Sequence, residues 1–458
     1  MPQFTWQSVV KASQKEVFDW HVRPGAFQRL SPPWKQIKLI SYAAPDNKKS
    51  RVKIRVPILG PLSFTWELEH DSFDPPNAFS DQQIKGPFQS WRHVHSFTPA
   101  PEKQTVLSDS ISFSLPLINA LVAPFIKSEL TRLFAFRHEL LKFDLALHSR
   151  YQGAPRKTVL ICGSSGFIGS AVSAFLETAG HTVRRLVRRK PSSAGEFYWN
   201  PSDGFVDTAA FDKVDAVINF SGANIAEKRW STTSKKDILE SRTGSALLLA
   251  ETIASLDTPP ELAIMASATG FYGNTQDTTA TEETTRGTGF LADTCQAWEN
   301  ASLRLEQSSC RRIHLRIGTV LGANGGALKK MLPPFRLGVG GRLGKGTQIM
   351  SWIALQDLLG IIEHLLYTPG ISGPINAVSP NQCTNSEFTR TLGSLIRRPA
   401  VCAAPAWALR ILLGEMADEM LLSNSCVAPS ALTTSGYSFL FPELSDALRF
   451  QLGIADTK

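Results

Sequence analysis

Apolar and polar residues follow two different rhythms along the chain. In the first third they alternate with a period of two in the segments VKIRVPI, SFTWELEH, SWRHVHSF and TVLSDSISFSL. This alternation is typical of strands that bury one face. Two helical patterns flank these strands: SQKEVFDWHV at 13–22, where Ser13 and Glu16 have the spacing of a capping box, and a longer pattern from about 117 to 148. The first third is therefore predicted to be an α+β domain.

The second rhythm begins after a short polar segment, SRYQGAPRK at 149–157, which contains Gly and Pro as linkers do. The apolar runs TVLICG, HTVRRLV, AVINFSG, LAIMASA and RIHLRIG then alternate with helical patterns. This order is typical of a parallel, doubly wound α/β sheet. The predicted domains are residues 1–150, a linker at 151–156, an α/β domain at 157–380 and a small C-terminal helical domain at 381–458.

Composition excludes several classes of protein. The net charge is +8, with 43% hydrophobic and 19% charged residues, but Lys and Arg form no block and no basic helix, so no nucleic-acid partner is expected. No apolar run reaches the length of a membrane span, and the N-terminus lacks the pattern of a secretory signal, so we expect a cytoplasmic protein. The six cysteines contain no CxxC pair, which favours free thiols over metal ligands. Oligomeric state stays open.

A glycine-rich turn, GSSGFIG, stands between the strand TVLIC and the helix that follows it. In this context the first glycine permits a tight turn, the second lets the main chain approach a diphosphate, and the third lets the helix pack closely on the sheet. The helix N-terminus adds free N–H groups and a partial positive charge. The predicted dinucleotide-binding residues are Gly163, Ser164, Ser165, Gly166, Phe167, Ile168 and Gly169.

The end of the next strand bears on the choice of dinucleotide. An NAD site usually has an acidic residue there, about 20 residues along, that binds the ribose hydroxyls. This chain has HTVRRLVRRKPSS instead, with Arg188 and Arg189 at the strand end. A guanidinium binds a 2′-phosphate through paired hydrogen bonds, whereas a carboxylate repels it. We therefore expect NADP(H) rather than NAD(H).

Residues 157 to about 450 resemble the extended short-chain dehydrogenase/reductases through GSSGFIG, VINFSGANIAEKRW, ASATGFYG, LRIGTVLG and MLPPFRLGVGGRLGKG. They are most similar to the epimerase-like (NAD-dependent epimerase/dehydratase) branch, which has a small C-terminal domain. The resemblance implies a Rossmann fold, a nicotinamide cofactor and a small-molecule substrate. It also implies that Phe220, Ser221 and Gly222 line the adenine and ribose side, that Arg316 faces substrate or forms a structural ion pair, and that Ser351 and Trp352 belong to the segment closing the substrate site.

The usual catalytic residues of this superfamily are a Tyr-x-x-x-Lys pair and a Ser or Thr. In this chain the Tyr-x-x-x-Lys pair is missing. The tyrosine exchanges a proton with the substrate, and the lysine lowers the tyrosine pKa. Ser267 matches the hydroxyl residue. On the helix FLADTCQAWE, however, the two other positions hold Leu291 and Cys295, which puts ordinary carbonyl reduction in doubt.

Three interpretations of this site stay open. Tyr272 or Cys295 supplies the proton instead, although a thiol needs a cationic neighbour to ionise. Alternatively, a reductase or epimerase relies on hydride transfer with substrate-assisted proton movement. In the third interpretation the site binds NADPH without turnover, as a sensor. The leading hypothesis is an NADP(H)-dependent oxidoreductase or epimerase, and the alternative is a non-catalytic NADPH-binding protein.

The N-terminal third resembles the START-like, polyketide-cyclase-like helix-grip fold through FDWHVRPGAFQRLSPPW (18–34) and GPFQSWRHVHSF (86–97). That fold is a curved sheet around a long helix, and the resemblance implies an apolar ligand such as a lipid, quinone or polyketide. His93 and His95 alternate on one strand and therefore share a face. Because no third ligand is evident in the sequence, no metal is predicted.

Overall fold

A computed structural model describes residues 2–42, 45, 49–59, 62–114 and 119–454. The chain divides into two compact units. The first unit comprises residues 1–154, 174–180 and 449–458, and the second comprises residues 155–173 and 181–448.

The first unit contains a seven-stranded antiparallel sheet. Four of its strands lie in the segments whose alternation predicts strands, and the other three, at residues 3–10, 38–42 and 78–85, were not predicted. Its strands are β1 (Gln3–Val10), β2 (Lys38–Tyr42), β3 (Arg51–Leu59), β4 (Leu62–Asp74), β5 (Ala78–Lys85), β6 (Ser90–Ala100) and β7 (Gln104–Ser114), and its helices are α1 (Gln14–Val22), α2 (Ala26–Leu30) and α3 (Asn119–Ser149). The strand order is β1-β7-β6-β5-β4-β3-β2. The predicted capping box at Ser13 and Glu16 is confirmed at the start of α1.

One face of this sheet is buried. Along β7 the buried positions alternate strictly with partly exposed ones, because successive side chains of a strand point to opposite faces. The buried positions of β7 include Ile111 and Phe113, which form one apolar cluster with Phe4 of β1 and with Leu130 and Phe134 of α3. Aromatic and aliphatic side chains therefore fill this part of the interior.

The second part of the chain alternates strands and helices, as predicted. The strands are β8 (Thr158–Cys162), β9 (Thr182–Val187), β10 (Glu196–Asn200), β11 (Phe205–Val206), β12 (Ala216–Asn219), β13 (Leu262–Ala268), β14 (Arg311–Ile317), β15 (Thr319–Leu321), β16 (Ile349–Met350), β17 (Trp352–Ala354), β18 (Gly373–Ala377) and β19 (Cys383–Thr384). The helices are α4 (Phe167–Ala179), α5 (Thr232–Ala254), α6 (Phe290–Asn300), α7 (Gly326–Arg336), α8 (Leu355–Tyr367), α9 (Asn385–Leu395), α10 (Ala406–Leu413), α11 (Glu415–Ala417), α12 (Ser430–Thr434) and α13 (Leu444–Leu452).

The main sheet of this part has eight strands in the order β11-β10-β9-β8-β12-β13-β14-β18. All neighbouring pairs are parallel except β10 and β11. The strands β12 and β13 are buried almost throughout, which is expected of a parallel sheet covered on both faces. The Rossmann-like parallel sheet is thereby confirmed, and the order of its strands reverses next to β8, where ligands of such sheets bind.

No helix within the described residues has both the length and the apolar composition that a membrane span requires.

Candidate functional site

The glycine turn after β8 has the shape that a diphosphate needs. Gly163 has a φ of +75°, a conformation that glycine adopts without strain. A Cβ atom on Gly163 would lie 2.8 Å from the carbonyl carbon of Phe220, and a Cβ atom on Gly169 would lie 2.3 Å from the Gly163 oxygen. Main chain approaches main chain at both positions, so neither accepts a side chain.

Gly166 is different, because it faces outward. A Cβ atom there would meet the Gly163 oxygen at 3.3 Å, with no second atom of the described residues within 4 Å. Ser165 and Gly166 are exposed, and α4 begins directly after them at Phe167. The first N–H groups of a helix have no partner within the helix, so they face this open side. The turn is therefore a cradle that a phosphate fits and a methyl group would fill.

The ring of Phe167 fixes the start of α4 from the other side. A Cβ atom on Gly322 would lie 2.4 Å from this ring, and one on Gly325 would lie 2.2 Å from it. Two glycines without side chains thus make room for Phe167, a constraint that the sequence does not reveal by itself.

The turn after β12 lies beside the glycine turn, because main-chain atoms of Phe220 and Ser221 are close to Gly163. Main-chain N–H of Ser221 donates to Oδ1 of Asn219 at 3.0 Å, which fixes the turn after the strand. Oγ of Ser221 is buried and has no hydrogen-bond partner in the described part of the chain. A buried hydroxyl of this kind is costly unless a ligand or water pairs with it. Gly222 lies against the side chain of Arg242, which would be 3.1 Å from a Cβ atom there. Of the three predicted residues, Phe220 and Ser221 border the glycine turn, whereas Gly222 lies against Arg242, which sequence reasoning missed.

The two arginines at the end of β9 differ in their surroundings. Nη1 of Arg189 donates to Oε2 of Glu196 at 2.9 Å and to Oγ of Ser192 at 3.1 Å, and this hydrogen bond from Arg189 lowers the pKa of Glu196 to about 2. Arg188 is exposed, and no hydrogen bond to it is recorded within the described ranges. Arg189 is thus bound to a carboxylate of its own chain, while Arg188 remains available.

A second cluster lies at the ends of β13 and β14, and it unites four of the predicted residues. Glu299 of α6 is its centre. Two of the three guanidinium nitrogens of Arg316, Nε and Nη2, donate to Glu299 at 2.8 Å, and Oγ of Ser267 donates to Glu299 at 2.7 Å. The ion pair is buried, with Arg316 exposed by 4% and Glu299 by 6%. Of the two roles expected for Arg316, the ion pair is the one that the contacts show.

Tyr272 joins the same network through its hydroxyl. The hydroxyl accepts a hydrogen bond from Nη1 of Arg316 at 2.9 Å and donates one to Oδ1 of Asn376 at 2.7 Å. Burial raises the pKa of Tyr272, and the positive charge of Arg316 opposes that shift. The phenol therefore has a cation beside it, as the superfamily's tyrosine has its lysine, but it is only 3% exposed.

Cys295 is placed where the superfamily's lysine would be expected. A Cβ atom on Gly270, in the short helix Thr269–Tyr272 that follows β13, would lie 3.2 Å from Cβ of Leu291 and 3.8 Å from Sγ of Cys295. Both residues of the expected pair positions thus pack against this strand end. Burial raises the pKa of the Cys295 thiol to about 12, so the thiol stays protonated and is a weak nucleophile and a weak acid.

Ser351, directly before β17, holds the C-terminal segment. Its Oγ donates to the carbonyl of Ser425 at 2.7 Å and accepts from the N–H of Val427 at 3.0 Å. Val427 in turn packs in one cluster with Tyr272 and Cys295. Ser351 therefore positions a segment that packs beside Tyr272, whereas Trp352 is a buried residue of β17, at 1% exposure.

An open cavity of about 540 Å³ lies beside this region. Polar groups from four segments line it, including Asn274, Lys345, Gln348, Arg410 and Asn424. A cavity of this size accommodates a small-molecule substrate. The glycines of the motif LGVGGRLGKG indicate the loop that contributes Lys345 to this cavity. The other lining residues come from segments that are distant in the sequence.

Two sequence families match parts of the chain. The NAD dependent epimerase/dehydratase family matches residues 159–373, and a domain of unknown function, DUF1731, matches residues 404–451.

Relatives with a curated description match over nearly their whole lengths. The epimerase family protein Mb2239 of Mycobacterium bovis is 43% identical over 292 residues, which are 64% of this chain and 96% of the relative. The epimerase family protein SDR39U1 of Homo sapiens is 35% identical over 294 residues, which are 64% of this chain and 98% of the relative.

Solved structures show the same likeness. The nucleoside-diphosphate sugar epimerase from Corynebacterium glutamicum is 31% identical and has a TM-score of 0.82, covering 98% of this chain and 90% of that chain. Human SDR39U1 (isoform 2), crystallised with NADPH, is 34% identical and has a TM-score of 0.59, covering 64% of this chain and 98% of that chain.

Proposed function

The chain belongs to the NAD dependent epimerase/dehydratase family, and on that premise we propose that it is an NADP(H)-dependent oxidoreductase or epimerase that acts on a small molecule. The observation that carries the proposal is the glycine cradle, in which Gly163 and Gly169 touch neighbouring main chain while Gly166 leaves the centre open. A bound nicotinamide cofactor supplies or accepts hydride. The chain's own contribution begins with the N–H groups at the start of α4, which hold the diphosphate, and with Ser221, whose unpaired hydroxyl is suited to a ribose hydroxyl.

The preference for NADP(H) depends on Arg188 in this proposal. Its guanidinium follows β9, the neighbour of β8, and is not tied to a carboxylate in the way that Arg189 is tied to Glu196. Arg189 therefore stabilises the turn after β9 through its hydrogen bonds to Ser192 and Glu196. Human SDR39U1, a relative crystallised with NADPH, supports this choice of cofactor.

Titration of NADPH and NADH into the purified protein tests both statements. We expect Gly166→Ala to abolish most binding of either cofactor, because the added methyl occupies the cradle. We expect Arg188→Ala to weaken NADPH binding about ten- to hundredfold, the worth of hydrogen bonds to a charged group, and to leave NADH binding nearly unchanged. Arg189→Ala is the matched control with a smaller effect. Equal losses for both cofactors in Arg188→Ala would contradict the assignment.

Proton transfer in this proposal belongs to Tyr272. Arg316 stands beside its hydroxyl and stabilises a phenolate, the task that lysine performs in the superfamily. Asn376 orients the hydroxyl from the other side. Access for a substrate requires that the segment around Val427 move away from Tyr272, since the two now pack together.

A second candidate function, a non-catalytic NADPH-binding sensor, is favoured by one observation. The hydroxyls of Ser267 and Tyr272 are both bound within a buried network, and the usual pair positions hold Leu291 and Cys295. Two assays separate these functions: absorbance of NADPH in the presence of carbonyl compounds, and chromatography of nucleoside-diphosphate sugars incubated with the protein and NADP⁺. A reductase oxidises NADPH, an epimerase interconverts the sugars with no net change in the cofactor, and Tyr272→Phe suppresses either activity. A sensor changes cofactor fluorescence with no turnover.

For the first unit we propose the START-like helix-grip fold and an apolar ligand. An aromatic cluster supports this, since the ring centroids of Trp66 and Trp91 lie 5.0 Å apart and those of Phe88 and Trp91 lie 4.8 Å apart, and all three side chains are partly exposed. Such a cluster suits a flat molecule. Quenching of tryptophan fluorescence by a quinone tests the idea, and Trp91→Ala is expected to reduce the quenching.

A further inference from the structure

The buried face of the first unit's sheet carries a cluster of acidic and histidine side chains that the proposed function does not use. Register places Asp81 of β5 opposite His93 of β6, and His95 of β6 opposite Asp109 of β7. Residues directly opposite on antiparallel strands share a face, so the four side chains are neighbours. His95, the most exposed of them, is exposed by only 8%.

Asp109 accepts hydrogen bonds from two imidazoles. Its Oδ1 lies 2.8 Å from Nε2 of His93, and its Oδ2 lies 2.6 Å from Nε2 of His138 on α3. A carboxylate in this position fixes the tautomer and the orientation of the rings, as it does for histidines that bind metals. Donation from Nε2 of His93 to Asp109 makes Nδ1 the nitrogen that would bind a cation, with loss of any proton there.

The Nδ1 atom of His93 faces the carboxylate of Asp81. Nδ1 of His93 lies 3.5 Å from Oδ1 of Asp81, longer than an ordinary N–H···O hydrogen bond of about 2.7–3.2 Å. Two ligand atoms of a tetrahedral metal with bonds of about 2.0 Å are about 3.3 Å apart. The separation therefore matches two ligands of one cation better than a direct hydrogen bond.

His95 adds an unsatisfied nitrogen. Its Nδ1 lies 2.7 Å from Oδ1 of Asp109, but the contact is not aligned as a hydrogen bond, and this nitrogen has no hydrogen-bond partner within the described ranges. One ligand atom from each of Asp81, His93 and His95 lies within 4.8 Å of the others. Two carboxylates buried in one cluster favour positive charge beside them. Arg137 supplies part of that charge, and a divalent cation would add to it.

We propose that Asp81, His93 and His95 bind one divalent transition-metal cation, with Asp109 as the acceptor that orients the histidines. Two imidazole nitrogens with a carboxylate oxygen favour Zn²⁺ or Fe²⁺ over Ca²⁺ or Mg²⁺, which prefer oxygen ligands alone. Three ligands from three strand positions leave a fourth coordination position. The ligands belong to neighbouring strands, so the cation clamps β5 to β6.

Metal analysis of the full-length protein, produced without a histidine tag, tests the proposal. We expect close to one equivalent of zinc or iron per chain. After treatment with a chelator, Co²⁺ alone is titrated into the protein. Visible d–d absorption that saturates at one equivalent, without thiolate-to-metal bands, is expected of a site with nitrogen and oxygen ligands.

Variants locate the site. Asp81→Asn and His95→Gln are expected to weaken Co²⁺ binding at least about tenfold, whereas His148→Gln changes a buried histidine of the same unit outside the cluster and is expected to bind normally. Absence of both native metal and a Co²⁺ spectrum in the unaltered protein overturns the proposal whatever the variants do. Retention of Co²⁺ by well-folded Asp81→Asn and His95→Gln, checked by near-UV circular dichroism, overturns it as well.

Discussion

At the scale of single residues, Glu299 holds together more of the candidate site than any residue that the sequence motifs highlight. It accepts from Ser267 and from two nitrogens of Arg316, which in turn donates to Tyr272. The sequence places Glu299 on the helix next to Cys295, but its partner Arg316 lies 17 positions further along the chain. Helical spacing cannot disclose such a pair, because it forms only when α6 packs on the end of β14.

Removing the Glu299 carboxylate leaves a buried guanidinium without its counter-charge. Glu299→Ala is therefore expected to destabilise the protein by about 3–5 kcal/mol, measured as a lower midpoint of urea unfolding. Glu306→Ala is the matched control, because it removes the partner of Arg312 at a site where Glu306 is 63% exposed, and a loss below about 1 kcal/mol is expected. Equal losses for the two variants would show that the ion pair of Arg316 contributes little.

The thiol of Cys295 gives a second test at this scale. Because burial raises its pKa to about 12, very little thiolate exists at about pH 8. Iodoacetamide should label the exposed Cys402 in the native protein and spare Cys295 until urea is added. Peptide mass spectrometry reads the two sites separately. Native labelling of Cys295 as fast as that of Cys402 would show a reactive thiol and revive Cys295 as a catalytic residue.

At the scale of elements, the sequence predicts the glycine turn better than it predicts the contacts of the C-terminal segment. The turn could be predicted because its strand, its three glycines and its helix are contiguous. The sequence indicates that Asp357 is a helix cap or a loop anchor, but not which segment it anchors. Asp357 of α8 accepts from the N–H groups of Leu440 and Phe441, at 2.7 and 2.9 Å, and its carboxylate is fully buried. Only the packing of distant segments creates this contact.

Asp357 should therefore govern the order of the segment that it holds. Asp357→Ala leaves two N–H groups of residues 440 and 441 unpaired, at a cost of about 1–3 kcal/mol for each one that stays buried. Hydrogen exchange of residues 437–443 should accelerate, together with a lower thermal midpoint. Glu443→Gln, which alters an exposed contact with Asn381, is expected to stay within about 0.5 kcal/mol of the parent protein. Unchanged exchange in Asp357→Ala would refute the anchoring role.

At the scale of the whole molecule, the sequence pattern predicts β3, β4, β6 and β7 of the first unit, but it predicts neither β1, β2 and β5 nor which strands become neighbours. His93 and His95 could be placed on one face from their spacing, yet Asp81 and Asp109 reach them only through the pairing of β5, β6 and β7. A signal was present in β7, where the acidic Asp109 stands between the inward-facing Leu107 and Ile111. An acidic residue at a buried position indicates a partner, although not its identity.

Cofactor binding should be visible as a stability change of the whole chain. A ligand at about 100 times its Kd adds about 2.7 kcal/mol when it binds the folded state alone. We expect NADPH to raise the thermal midpoint and to slow hydrogen exchange at residues 158–170 and 216–222, which include the cradle and the turn after β12. Gly166→Ala is the control, because NADPH is expected to leave the hydrogen exchange of this variant unchanged. Protection confined to residues 78–114 would place the cofactor elsewhere and refute the proposed site.

The salt bridge between Arg189 and Glu196 has a consequence for protein engineering. The carboxylate of Glu196 binds the guanidinium of Arg189, so in the proposed site the choice between NADP(H) and NAD(H) depends on Arg188. Glu196→Gln removes the negative charge beside Arg189 and is expected to make this second guanidinium available to a 2′-phosphate, with a higher preference for NADPH over NADH.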